Sequence, residues 1–132
     1  MRAVAAFTLG RHGLRPYRPA QSGAADVGDI HGLSPLVLQA KDTRRHDLSG
    51  WLDGPHGVVH QARRAGEPVG VLVIKRPRRP VGDAYTVARL ADHVRLLVRL
   101  RRAEALLAAH APAAYGAHVA DTATDAETPF PR

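Results

Sequence analysis

The stretch Leu36-Val37-Leu38-Gln39-Ala40-Lys41 decides the fold of this protein. It is a short apolar run that turns polar at its end, a pattern typical of a buried β-strand. Successive side chains of a strand point to opposite faces, so Gln39 and Lys41, two positions apart, should share one face. We therefore expect a buried strand that carries two polar side chains towards its carboxyl end.

Around that strand, the hydrophobic pattern predicts strands that alternate with helices. The predicted order is a helix ending near Gly13, an extended segment over 14–21, strands over 27–33 and 36–41, a helix from Asp47 that breaks at Gly54-Pro55 and ends at Gly66, strands over 69–74 and 85–90, and a long helix over 91–110. This order predicts an α/β protein with a central mixed β-sheet flanked by helices.

The composition changes at Ala111, after which Ala, Thr, Pro and Asp dominate. Such a segment buries too little apolar surface to offset the entropy that is lost on ordering. We therefore expect one folded domain over 1–110 and a disordered tail over 111–132.

The charge balance favours a polyanionic partner. The 132 residues carry a formal net charge of +7, and a strongly basic domain points to nucleic acid above all. The absence of cysteine excludes disulfides and cysteine-ligated zinc. No apolar run approaches the roughly 18 residues of a membrane span, and the first residues lack the apolar core of a signal peptide. We expect a cytoplasmic protein with no membrane contact.

Only two of the basic residues are lysines, Lys41 and Lys75, against 17 arginines. A surface cation can be either residue, whereas a site that needs a compact ammonium charge does not readily accept a planar guanidinium. The two lysines are therefore the first places to look for a functional site.

Asp29 precedes Gln39 by ten residues, and if their strands pair, Asp29, Gln39 and Lys41 meet at one end of the sheet. Hydrolysis of a phosphodiester needs neutralised phosphate charge and an activated water, which Mg²⁺ or Mn²⁺ supplies through oxygen ligands. Asp29, the Gln39 amide and the Ala40 backbone carbonyl offer such oxygens. Lys41 can orient the water or stabilise developing negative charge.

This arrangement resembles the PD-(D/E)XK nuclease superfamily, and more closely its small Holliday-junction-resolvase-like proteins. The likeness covers roughly residues 1–100. The matching stretches are GDI at 28–30, LVLQAKD at 36–42, LSGW at 48–51, VGVLVIKR at 69–76 and YTV at 85–87.

The resemblance implies a restriction-endonuclease-like fold and a metal-dependent endonuclease that acts on DNA, branched DNA included, often as a homodimer. It implies that Asp29, Gln39 and Lys41 are catalytic, and that Asp29, Gln39 and the Ala40 carbonyl bind the metal. Two departures bear on activity. The family's second acid is Gln39 here, which removes one negative charge, and no acid precedes Asp26, although relatives often carry a Glu on the opening helix.

Four basic residues are candidates for contacts to DNA phosphates: Arg44, Arg45, Lys75 and Arg76. The leading hypothesis is a Mg²⁺-dependent DNA endonuclease of the resolvase-like kind. One alternative is a DNA-binding module that keeps the nuclease fold with weakened or lost activity. The other is a small structural or partner-binding protein whose basic charge is incidental.

Overall fold

The structure, a computed structural model, describes residues 14–18 and 30–127. The chain divides into two compact units, Met1–Arg89 and Leu90–Arg132. The predicted opening helix lies outside the described residues, as does Asp29.

The first unit is built on a four-stranded mixed sheet in the order β1-β2-β3-β4. The strands are β1 (Ile30–Leu33), β2 (Leu36–Lys41), β3 (Val69–Ile74) and β4 (Tyr85–Val87). β2 and β3 pair in parallel, whereas β1 and β4 pair antiparallel on the two outer sides. The predicted mixed sheet is thus confirmed, and the stretch Leu36–Lys41 is one of its two central strands.

The segment 14–18 extends the sheet beyond β1 at a single point. Tyr17 and His31 form an antiparallel bridge, in which each backbone N donates to the other residue's carbonyl oxygen, at 3.0 and 2.8 Å. The extended segment predicted over 14–21 therefore pairs at Tyr17, as expected of an edge strand with prolines on both sides.

Two short helices connect β2 to β3, as the broken helical pattern predicts. α1 spans Leu48–Asp53 and α2 spans Val58–Arg64. The Asp47 carboxylate accepts a hydrogen bond from the Gly50 backbone N at 3.0 Å, which caps the start of α1. The chain then leaves α2 through Gly66, whose φ of +74° is one that glycine adopts without steric cost.

These helices cover one face of the sheet and form its core with β3. Leu52 and Val58 pack with Leu72 and Ile74 in a buried cluster, and Trp51 lies against that cluster. All six residues of β3 are buried, which explains why the strand reads as one apolar run.

The second unit contains two helices, α3 over Leu90–His110 and α4 over Pro112–Glu127. α3 matches the predicted long helix. No helix in the described part of the chain is long and apolar enough to span a membrane.

Helix α4 differs from the disordered tail expected over 111–132, of which 128–132 lie outside the described residues. Alanine, the strongest helix former, dominates this segment, and proline is favoured at the first helical position, which Pro112 occupies. His118 Nε2 lies 3.2 Å from Glu104 Oε1 and ties α4 to α3. Local propensity and this pairing outweigh the low apolar content.

Candidate functional site at the carboxyl ends of the parallel strands

The carboxyl ends of β2 and β3 bring both lysines to one edge of the sheet. Lys41, the last residue of β2, lies opposite Ile74, the last residue of β3. The Lys75 backbone N donates to the Lys41 carbonyl oxygen at 3.0 Å. Ligands of open α/β sheets bind outside the carboxyl ends of the strands. We call this edge, made of Lys41, Asp42, Lys75 and Arg76, the lysine edge.

Gln39 and Lys41 lie on the face of the sheet that the helices cover. In the parallel register they are opposite Leu72 and Ile74, and residues opposite each other on neighbouring strands share a face. Leu72 and Ile74 belong to the core beneath α1 and α2. The structure therefore brings Gln39 and Lys41 together on one face, as their spacing predicts.

Gln39 is a buried residue whose amide oxygen is unused. Gln39 is only 8% exposed, and its side-chain oxygen, Oε1, has no hydrogen-bond partner among the described residues. Leaving such an acceptor unsatisfied costs about 1–3 kcal/mol. A hard cation would offset that cost, because Mg²⁺ and its relatives prefer oxygen ligands.

The structure describes part of the expected metal ligand set. Asp29 lies outside the described residues, and Ala40 lies between Gln39 and Lys41, opposite Val73 of β3. Within residues 14–18 and 30–127, no group of three or more His, Cys, Asp or Glu could hold a metal ion. The buried Gln39 oxygen fits a cation that accepts a neutral ligand, and the anionic ligand would have to come from Asp29.

Lys41 lies over an aromatic ring. Its Nζ is 5.3 Å from the centroid of the Trp51 ring, within the range of a cation–π interaction, which is worth roughly 0.5–1 kcal/mol at an exposed site. Trp51 packs against the core cluster, and the centroid of the His46 ring lies 6.0 Å from that of its ring. The ammonium group is therefore held above α1.

Lys75 forms an ion pair with Asp42 across the lysine edge. Its Nζ lies 2.9 Å from Asp42 Oδ2, and the two side chains are 52% and 74% exposed. An exposed pair of this kind contributes only about 0–1 kcal/mol. Lys75 can therefore exchange the carboxylate for a phosphate at little cost.

The other three proposed DNA contacts lie in the same edge or in the loop beside it. The Arg76 guanidinium lies over the Tyr85 ring, 4.6 Å from its centroid. Arg44 and Arg45 are exposed in the loop between β2 and α1, where Thr43 Oγ1 donates to the Arg45 carbonyl oxygen at 2.8 Å. All four proposed phosphate contacts thus lie within four residues after the end of β2 or β3.

Three contacts of the lysine edge were not predicted from the sequence: Lys41 with Trp51, Lys75 with Asp42, and Arg76 with Tyr85. The contact of Lys75 with Asp42 could have been predicted from the lengths of the two strands. β2 and β3 each have six residues and pair in full register, so the residues that follow them, Asp42 and Lys75, come together.

Comparison with known proteins identifies no relative of this chain. No protein-family model matches the sequence, no curated protein is significantly similar to it, and no solved structure matches it significantly.

Proposed function

We propose that this protein is a metal-dependent DNA endonuclease of the Holliday-junction-resolvase-like kind, with a restriction-endonuclease-like fold. The observation that carries the proposal is the pair Gln39 and Lys41. Gln39 presents a buried amide oxygen with no partner among the described residues, and Lys41 presents its ammonium group on the same face. A neutral oxygen ligand on the same face as a lysine ammonium suits the hydrolysis of a phosphodiester.

Asp29 is the proposed anionic ligand. It is bonded to Ile30, which lies opposite Leu38 in the β1–β2 register, and Leu38 is bonded to Gln39. Its position in the sequence, directly before Ile30, makes Asp29 the candidate acid for a site with Gln39.

The roles of the residues follow from their chemistry. Bound Mg²⁺ or Mn²⁺ would neutralise phosphate charge and make a water more acidic. Asp29, Gln39 and the Ala40 carbonyl would hold that ion. Lys41, positioned above Trp51, would orient the attacking water or stabilise the charge that develops on the scissile phosphate.

DNA would be bound by the cations around the lysine edge. Arg44 and Arg45 are exposed and lie in a loop outside the sheet. Lys75 would lose only an exposed ion pair on binding a phosphate. A guanidinium binds phosphate through two parallel hydrogen bonds, which adds directionality to charge. The partner that fits this surface is therefore the sugar-phosphate backbone.

A second candidate function is a DNA-binding module that has lost hydrolytic activity. Gln39 contributes no negative charge, and the described residues contain no group of three or more His, Cys, Asp or Glu that could hold a metal ion. Each feature lowers the affinity of the edge for a divalent cation while leaving its affinity for phosphate intact.

A cleavage assay distinguishes the two functions. Wild-type protein would be incubated with a four-way junction and with linear duplex DNA, in Mg²⁺ or Mn²⁺ and in EDTA. We expect metal-dependent cleavage that Asp29→Asn and Lys41→Ala abolish, with Arg63→Ala, an exposed residue of α2, as the control. Cleavage that survives both substitutions overturns the proposed site, and salt-dependent binding without cleavage selects the binding module.

A further inference from the structure

The loop that follows β3 is a proline-bounded turn rich in arginine, Arg76-Pro77-Arg78-Arg79-Pro80, which we call the basic turn. The Arg79 backbone N donates to the Arg76 carbonyl oxygen at 3.3 Å and closes the turn. Arg78 and Arg79 are both exposed. Two exposed guanidinium groups therefore lie directly after the lysine edge in the sequence.

The backbone of the basic turn is strained at Arg78. Its φ of +56° lies in the left-handed region, which is unfavourable for a residue with a side chain and which glycine adopts readily. Strain of this kind concentrates at functional sites. An arginine at a position that glycine would adopt without strain is therefore a candidate for a functional side chain.

Both ends of the basic turn are held in place. Pro77 and Pro80 restrict their own φ angles. Arg76 lies over the Tyr85 ring, and the Asp83 backbone N donates to the Pro80 carbonyl oxygen at 3.0 Å. A loop held in this way loses little conformational entropy when it binds a partner.

We propose that the basic turn is a second DNA-contacting element, in which Arg78 and Arg79 bind backbone phosphates outside the active site. The inference rests on the proposed function, since it takes DNA as the partner. The turn continues from Lys75 at the carboxyl end of β3, so a strand bound at the lysine edge has cations along its path. Phosphate contacts carry no sequence information, so the basic turn should strengthen binding to all sequences alike.

The test is the salt dependence of duplex DNA binding, measured by fluorescence anisotropy in EDTA so that no cleavage occurs. Each phosphate contact contributes about 0.9 to the slope of log K against log salt concentration. The double variant Arg78→Ala/Arg79→Ala should therefore lower that slope by about 1.8. Arg63→Ala/Arg64→Ala is the matched control, because it removes the same charge from exposed positions at the end of α2.

Two single substitutions separate charge from backbone strain. Arg78→Gly removes the charge and relieves the strain, so it should fold at least as stably as wild type and still lose about 0.9 from the slope. Arg78→Lys keeps the charge and should keep most of the slope.

An unchanged slope in the double variant, or an equal loss in the control, overturns the basic turn as a DNA contact. This readout is independent of hydrolysis. If wild-type protein fails to cleave DNA but the double variant shows the expected lower slope, the nuclease proposal is wrong and the basic turn is still supported as a DNA contact.

Discussion

The Nζ atom of Lys41 lies 5.3 Å from the centroid of the Trp51 ring. Trp51 is the single tryptophan of the protein and packs against the buried cluster of the sheet. Its indole therefore connects the core to the lysine edge. The intrinsic fluorescence of the protein reports on the candidate site without any added label.

DNA binding should produce a saturable change in Trp51 emission, because a phosphate that approaches Lys41 alters the charge above the ring. The change would be followed during a duplex titration in EDTA, with anisotropy of labelled DNA as the parallel measure of binding. Lys41→Met keeps the apolar stem and removes the charge, so most of the emission change should disappear. Emission that stays constant while anisotropy saturates would show that Lys41 does not meet the DNA.

Replacing Gln39 with leucine should stabilise the protein and abolish its activity. Gln39→Leu removes a buried acceptor that has no partner among the described residues, so the free energy of unfolding should rise by about 1 kcal/mol. Gln61→Leu is the contrast, because it also removes the hydrogen bond that Gln61 Nε2 donates to the His56 carbonyl oxygen at 3.0 Å. That substitution should cost about 1 kcal/mol or more.

Urea unfolding of the metal-free protein measures both glutamine variants. Equal destabilisation by Gln39→Leu and Gln61→Leu would mean that the Gln39 amide contributes to the fold rather than to a ligand site.

Gln39→Glu should increase the affinity for a hard cation by roughly tenfold, because affinity in oxygen sites rises with the charge of the ligands. Tb³⁺ is a suitable probe, since Trp51 can sensitise its luminescence and Mg²⁺ can compete for the site. Asp29→Asn should lower the affinity, whereas Asp53→Asn, an exposed acid at the end of α1, should leave it unchanged. A Tb³⁺ titration identical in wild type and Gln39→Glu would remove Gln39 from the ligand set.

Gly70→Ala should destabilise the first unit by about 1–3 kcal/mol through overpacking. A Cβ atom at Gly70 would lie 2.3 Å from the Val58 carbonyl oxygen, so α2 and β3 would have to separate. Gly116 of α4 is the control, because a Cβ there meets nothing within 4 Å. Gly116→Ala should instead stabilise its helix by roughly 0.5–1 kcal/mol. Thermal unfolding with opposite signs for the two variants is the expected result, and a neutral Gly70→Ala would contradict the close packing.

Much of the first unit could be predicted from local signals. β2 and β3 are apolar runs of strand length, and the turn residues Ser34-Pro35 and Gly66 mark where elements end. Helix α4 could not be predicted in the same way. The amino-acid composition of this segment shows only that it can bury little apolar surface. It contains no information about the pairing of Glu104 with His118.

The candidate site, too, could be predicted from the sequence only in part. Alternation along β2 is a property of any strand, so the shared face of Gln39 and Lys41 could be predicted. The position of Trp51 beneath Lys41 depends on where α1 crosses the sheet, which is set by the packing of Leu52 and Val58. The strained backbone of Arg78 likewise depends on the closed turn, although the flanking prolines were a visible signal.

The measurement that tests the central claim most directly is the single-turnover cleavage rate of a four-way DNA junction in Mg²⁺, with protein in excess. The proposed site predicts metal-dependent cleavage by wild type and a rate at least about 100-fold lower in Lys41→Ala and in Asp29→Asn. DNA binding by both variants, measured in EDTA, should change by no more than about tenfold, because each alters one charge among several phosphate contacts. Cleavage at the wild-type rate by both variants would contradict a nuclease site built from Asp29, Gln39 and Lys41.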